Sequence, residues 1–174
     1  MSASSSASAQ KVLVFDFGAQ YGQLIARRVR DLNVYSEIVP CDITADEVRA
    51  MAPSAIILSG GPASVNAEDA PRVDPEVYEL GVPVLGFCYG HQITAVTLGG
   101  AVHHPEVGEY GPAELHVKGG ALFEGTPDTQ TVWMSHFDAV CDVPEGFEVV
   151  ASTDVCPVAA MQNVQKKIYT TQFH

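Results

Sequence analysis

Gly86-Phe87-Cys88-Tyr89-Gly90 constrains this chain more tightly than any other segment. It joins an apolar run, Val82-Pro83-Val84-Leu85-Gly86-Phe87, to a helical run, His91-Gln92-Ile93-Thr94-Ala95-Val96-Thr97-Leu98, which Gly99-Gly100 stops. A buried strand that turns straight into a helix leaves no room for side chains on both flanks of the turn, and glycine supplies that room. The cysteine then stands at the helix N-terminus. There the macrodipole and the unpaired backbone N–H groups favour a thiolate, and the same N–H groups can hold an oxyanion. A cysteine without such flanks is ordinarily a small buried hydrophobe. The strand–Gly-x-Cys-x-Gly–helix setting points instead to a nucleophile.

The segments before this turn repeat its strand-then-helix rhythm. Lys11–Phe17 reads as a buried strand closed by Gly18, followed by a helix with Tyr21, Ile25, Val29 and Leu32 on one stripe. Tyr35–Pro40 is a second strand, and Thr44-Ala45-Asp46-Glu47 is a capping box opening a helix that Pro53 ends. Ala55–Leu58 is a strand running into Ser59-Gly60-Gly61-Pro62, and Asp74-Pro75 opens a helix through Leu80 with Gly81 as its cap. This alternation predicts an α/β fold with a doubly wound, mostly parallel sheet, in which ligands gather at the carboxyl ends of strands. Gly18, Ser59-Gly60-Gly61 and Cys88 all fall at such ends, so three glycine-bearing turns can meet at one site. After residue 100 the pattern changes to short runs, 114–117, 131–134, 147–152, 158–161 and 168–173, which read as antiparallel additions to the same sheet.

Composition narrows the partners. The 174 residues are 47% hydrophobic, enough for one globular domain and too many for disorder. Asp and Glu number 21 against 9 Lys and Arg, a net charge of −12 that speaks against a nucleic-acid or membrane-binding face. The four cysteines contain no C-x-x-C pair and read as free thiols of a reducing cytoplasm. Residues 1–10 form a Ser/Ala tail without the basic and apolar regions of a secretory signal, and are expected to be disordered; 11–174 form the domain.

A cysteine nucleophile needs a base. His91 lies in the helix after the turn, an unfavourable place from which to reach the thiol. His103, His104 and His116 fall near strand edges and read as surface or packing residues. No spacing matches a zinc site. His136 sits at a strand end in Trp133-Met134-Ser135-His136-Phe137-Asp138, a setting suited to ligand contact, and His174 ends the chain. Spacing alone does not choose between these two.

Phe15-Asp16-Phe17-Gly18-Ala19-Gln20-Tyr21, Ile56–Pro62, Gly81–Gly90, Glu109-Tyr110-Gly111, Val132–His136 and Gln172-Phe173-His174 follow one another as in a known family. From residue 11 to 174 the chain resembles the class I glutamine amidotransferase domain of the GMP synthases. The resemblance implies a flavodoxin-like fold and release of ammonia from glutamine, through a Cys88 glutamyl thioester, for amination of XMP to GMP. It implies His174 as base, the N–H groups of Gly61 and Tyr89 as oxyanion hole, and Gly60, Gln92, Ser135, His136 and Asp138 as glutamine contacts. The implied partner is an ATP-pyrophosphatase (synthetase) domain or subunit. No G-x-x-x-x-G-K-[ST] loop is present, so ATP and Mg are expected on that part, with no cofactor in this domain.

The family's Phe-His-Pro-Glu motif supplies a Glu that orients the histidine, whereas this chain stops at His174. It is therefore read as a C-terminally truncated fragment, weakly active or inactive alone. Phe137 stands where the family has Gly, and is expected to crowd the pocket or alter the turn. Two alternatives remain: an amidotransferase of the anthranilate or carbamoyl phosphate type, which the 109–111 and 133–136 runs oppose, or a catalytically inert flavodoxin-like module.

Overall fold

A computed structural model describes residues 9–174. The disorder expected for residues 1–10 falls, apart from Ala9 and Gln10, outside the described residues. Eleven strands run as β1 (Lys11–Asp16), β2 (Tyr35–Pro40), β3 (Ala55–Leu58), β4 (Val84–Phe87), β5 (Ala101–His103), β6 (Glu109–Val117), β7 (Thr129–His136), β8 (Ala139–Asp142), β9 (Glu148–Ser152), β10 (Ala160–Asn163) and β11 (Ile168–Thr171). Three α-helices, α1 (Tyr21–Asp31), α2 (Ala45–Met51) and α3 (Tyr89–Thr97), and two 3₁₀ turns complete the elements among the described residues.

Nine strands form one sheet in the order β2-β1-β3-β4-β11-β10-β9-β6-β7. The first five are parallel to one another and the remaining pairings are antiparallel. The doubly wound, mostly parallel α/β reading is therefore correct, with one correction. β11 is parallel to β4, with Thr171 opposite Phe87, and only the strands beyond it are antiparallel additions. That register delivers the chain end to the same sheet edge as Cys88. β5 and β8 pair as a separate two-stranded sheet that the sequence pattern does not reveal.

Two apolar clusters hold the sheet. The larger takes Leu13, Phe15, Ile56, Leu58 and Val84 from the parallel strands and packs them against Val48 of α2, Val77 and Tyr78 of a 3₁₀ turn, and Ile93 of α3. The smaller gathers Leu115, Phe123, Met134 and Ala160 in the antiparallel half. The Thr44 capping box is present in full, with Glu47 N–H donating to the Thr44 hydroxyl and the Glu47 carboxylate accepting from Thr44 N–H.

Two helix expectations need revision. In α1 the buried positions are Gly22 and Ala26, while Tyr21 is 46% and Leu32 76% exposed. Small residues let the helix settle close to β1 and β2, where the Ser36 hydroxyl donates to Ala26 C=O at 2.6 Å. The Pro75–Glu79 segment is 3₁₀ rather than α, capped by the Asp74 carboxylate.

Gly90 shows how tightly α3 is seated. A Cβ there would stand 2.3 Å from Leu58 O, inside any allowed contact. Gly90→Ala should cost about 2–3 kcal/mol of overpacking, more than the ~1 kcal/mol of helix propensity that alanine adds. Urea unfolding measures it; an alanine variant as stable as the parent would mean that α3 can lift off β3.

Candidate active site

β4 ends at Phe87, and Cys88 caps α3 with φ 51° and ψ −103°. Positive φ is costly for any residue with a Cβ, and here it turns the side chain out between strand and helix. The flanking glycines are required sterically: a Cβ on Gly86 would meet Gly90 O at 2.8 Å. Cys88 N–H donates to Thr171 O at 2.9 Å, and Gly90 N–H to Ser59 O at 3.2 Å, tying the turn to β11 and to the residue after β3.

The turn opens on a cavity of about 430 Å³. Gly61, Cys88, Gln92, Ser135, His136, Asp138 and His174 all line it, so seven of the nine sequence-predicted site residues meet in one hollow. Gly60 lies between the proposed nucleophile and base: a Cβ on it would stand 3.1 Å from His174 Cε1 and 3.7 Å from Cys88 Cβ. Tyr89 turns its side chain away, its hydroxyl donating to Pro71 O at 2.6 Å, and contributes only backbone at the site. As first residue of α3 it has no intrahelical acceptor for its N–H. Gly61 is confined by Phe17, whose carbonyl oxygen would be 2.7 Å from an added Cβ.

The thiol is 8% exposed for the residue as a whole. Sγ donates to Ser135 O at 3.7 Å and accepts from Gln172 Nε2 at 3.7 Å. Burial pushes the Cys88 thiol up to about 11, and the Tyr89 N–H and the Gln172 amide oppose it only in part. Burial thus works against the thiolate that the helix N-terminus favours. The His174 ring is seated against the Tyr21 ring, centroids 5.0 Å apart, and the His174 backbone N–H donates to Trp133 O at 3.0 Å. Burial of its ring, and then the neighbouring His136, hold its imidazole below the ordinary value. Its neutral form can therefore accept a proton.

Gln92 is buried and uses its amide N–H₂ twice, to Asp138 O at 2.7 Å and Gln172 Oε1 at 3.0 Å. Gln172 is a site residue that sequence reasoning missed, although it stands in the Gln-Phe-His run; its place two residues before the histidine, directly after the strand beside β4, is the available signal. His104, expected to be a surface or packing residue, lines the cavity: its Nδ1 is 2.6 Å from Asp138 Oδ1 and its ring stacks on Phe137 at 4.1 Å. The other Asp138 oxygen accepts from the Ser64 hydroxyl at 2.5 Å. Phe137 borders the cavity as expected, but its φ is not positive, so the turn carries no left-handed strain there. His91 points away from the thiol, with Nδ1 2.7 Å from the Thr170 hydroxyl and Nε2 3.0 Å from Val158 O. Among the described residues no group of three His, Cys, Asp or Glu side chains is arranged to hold a metal ion, and no helix is long and apolar enough to cross a membrane.

A cysteine at a strand–helix elbow, sharing a hollow with a histidine and a Gly-Gly turn, can carry acyl transfer through a thioester. The family model for glutamine amidotransferase class-I matches residues 13–174, and the chain belongs to that family. It is 60% identical over 175 residues to the GMP synthase [glutamine-hydrolyzing] of Streptomyces avermitilis, covering 99% of this chain and 33% of that protein. The corresponding protein of Clostridium novyi is 56% identical, with 94% of this chain and 32% of the relative covered. The chain thus spans about a third of the length of the curated relatives it matches. A crystal structure of a putative GMP synthase subunit from Thermoplasma acidophilum superposes with a TM-score of 0.81 at 28% identity, covering 96% of this chain and 84% of that one.

The buried thiol makes a direct prediction. Alkylation of Cys88 by a small neutral reagent, followed by peptide mass spectrometry, should keep accelerating up to about pH 10, past the ~8.5 of a free thiol. A plateau below that value would show a resting thiolate.

Proposed function

We propose that this chain is the glutaminase part of a GMP synthase, releasing ammonia from glutamine for ATP-dependent amination of XMP. The observation that carries the reading is the meeting of Cys88, His174 and the Gly60-Gly61 turn in one cavity at the carboxyl ends of the parallel strands. Because burial works against the thiolate, the first step couples proton transfer to attack. His174 takes the Sγ proton as sulfur bonds to the side-chain amide carbon of glutamine. The amide oxygen becomes an oxyanion facing the Tyr89 and Gly61 N–H groups. His174 returns the proton to the departing nitrogen, ammonia leaves, and a glutamyl thioester remains. Water, losing a proton to His174, then cleaves the thioester to glutamate and free thiol.

ATP and Mg would be held by a synthetase part, as a further domain or a separate chain, which supplies the energy for amination. The four free cysteines suit a cytoplasmic protein. One observation favours the inert-module alternative, namely the upward push of burial on the Cys88 thiol.

A diazo-ketone glutamine analogue separates the two. It should add one equivalent to Cys88, with glutamine protecting, and the adduct should vanish in Cys88→Ser. His174→Ala should slow labelling by about 10²-fold or more. Labelling that glutamine does not compete, or that His174→Ala leaves untouched, would overturn the glutaminase reading.

A further inference from the structure

Residues 60–63, Gly-Gly-Pro-Ala, carry no polar side chain, so the turn that presents the Gly61 N–H has no side-chain bond of its own. Its entry is tied down by Gly90 N–H, which donates to Ser59 O, and Gly61 is backed by Phe17. Ser64 is the first residue beyond Gly61 that can anchor the exit by a side-chain bond. Its hydroxyl donates to Asp138 Oδ2 at 2.5 Å and accepts from Asn66 N–H at 3.3 Å, so its single proton is committed to the carboxylate. Asn66 adds a second tie, its side-chain amide donating to Val102 O in β5 at 3.1 Å.

Asp138 lies in the turn between β7 and β8. Its backbone carbonyl accepts from the Gln92 amide at 2.7 Å, which fixes this turn on the helix that Cys88 caps. Its side chain is 11% exposed, and both carboxylate oxygens are engaged by protein. Oδ1 lies 2.6 Å from His104 Nδ1. A carboxylate only accepts, so Nδ1 carries a proton whether or not Nε2 does. The His104 ring is itself propped on Phe137, centroids 4.1 Å apart and planes within 19° of parallel.

We infer that Asp138 is a positioning residue rather than the glutamine contact that resemblance implies: through Ser64 it clamps the Gly60-Gly61 turn to the β7–β8 wall of the cavity, with His104 and Phe137 bracing its other oxygen. A carboxylate holds its donors more firmly than a neutral acceptor does. Oxyanion donors stabilise a transition state when they are fixed before the charge develops, so the clamp acts on the limiting rate and not on substrate affinity. Phe137, which borders the cavity, serves as the shelf for His104. The inference rests on the glutaminase reading for the oxyanion, while the clamp itself is a matter of loop geometry.

The full chain carries the test as Ser64→Ala, Asp138→Asn and the two combined, with Ser64→Thr as the conservative variant. Cys88 labelling by the diazo-ketone glutamine analogue is followed against reagent concentration. That analogue places a ketone oxygen where glutamine has its amide oxygen, whereas iodoacetamide alkylates by displacement and forms no oxyanion. Ser64→Ala and Asp138→Asn should each lower the limiting rate about tenfold, with the half-saturating concentration changed less than about twofold. The double variant should lose no more than Asp138→Asn alone, and Ser64→Thr should recover most of the rate. Iodoacetamide should label every variant within about twofold of the wild type. A higher half-saturating concentration at unchanged limiting rate in Asp138→Asn would make the carboxylate a substrate contact and overturn the inference. Losses that multiply in the double variant, a Ser64→Ala variant that labels like the wild type, or equal loss with both reagents overturn it too. Backbone ¹⁵N relaxation decides the clamp without either reagent. The Gly60 and Gly61 amides should show order parameters near about 0.85 in the wild type, falling toward about 0.6 in Ser64→Ala and returning in Ser64→Thr. Values already low in the wild type, or unchanged in Ser64→Ala, overturn the clamp. If the diazo-ketone fails to label even the wild type, the glutaminase reading falls, and the relaxation data still decide the clamp.

Discussion

The site depends on how closely α3 is set down on the strands beneath it. Gly90 lies where any side chain would strike Leu58, Gly86 lies where any side chain would strike Gly90, and the backbone of the turn is bonded to Ser59 and Thr171. With the helix any higher, the chain segments that build the cavity would not converge. As it is, residues separated by most of the sequence, Gly61, Cys88, Asp138 and His174, share one hollow. Backbone proximity comes first, and the chemistry follows from it.

The second constraint is the polar layer under the cavity. Gln172 reaches the thiol, Gln92 links Gln172 to Asp138 O, and His136 reaches the same carbonyl. Such groups are tolerated in a buried layer where they are bonded, and the bonds fix one arrangement of side chains; among the described residues only His136 Nε2 is buried without a partner. His91 belongs to this layer as structure rather than chemistry. Val158 O can only accept, so Nε2 carries the proton and Nδ1 receives the Thr170 hydroxyl, and burial lowers the imidazole to about 3. It is a neutral strap between α3 and β11. The same desolvation that steadies the layer works against a Cys88 thiolate.

Much of this is legible in the sequence, for physical reasons that differ by residue. β2 and β3 lie where their apolar runs and turn signals put them, and the Thr44 capping box is a local device fully written in four residues. The Cys88 turn is legible because only glycine fits its flanks. The direction of β11 is not, since pairing partner and direction are non-local and nothing within Ile168–Thr171 encodes them. The inner face of α1 is hidden because apolar periodicity favours large residues, whereas this helix packs through Gly22 and Ala26. His104 escapes notice because an exposed histidine in a loop carries no pattern, and its stacking on Phe137 becomes visible only once β5 and β8 pair.

The backbone angles of Cys88 have a consequence for how stability and reactivity are divided in this protein. With φ 51° and ψ −103°, the residue occupies a region that is the mirror image of ordinary extended backbone, open to glycine and strained for anything with a Cβ. The chain would therefore be relaxed at this point by glycine, the residue that deletes the sulfur. Selection for thermal robustness alone would erode the nucleophile, and a glycine found here in a drifting copy of the sequence would mark a fold released from its chemistry.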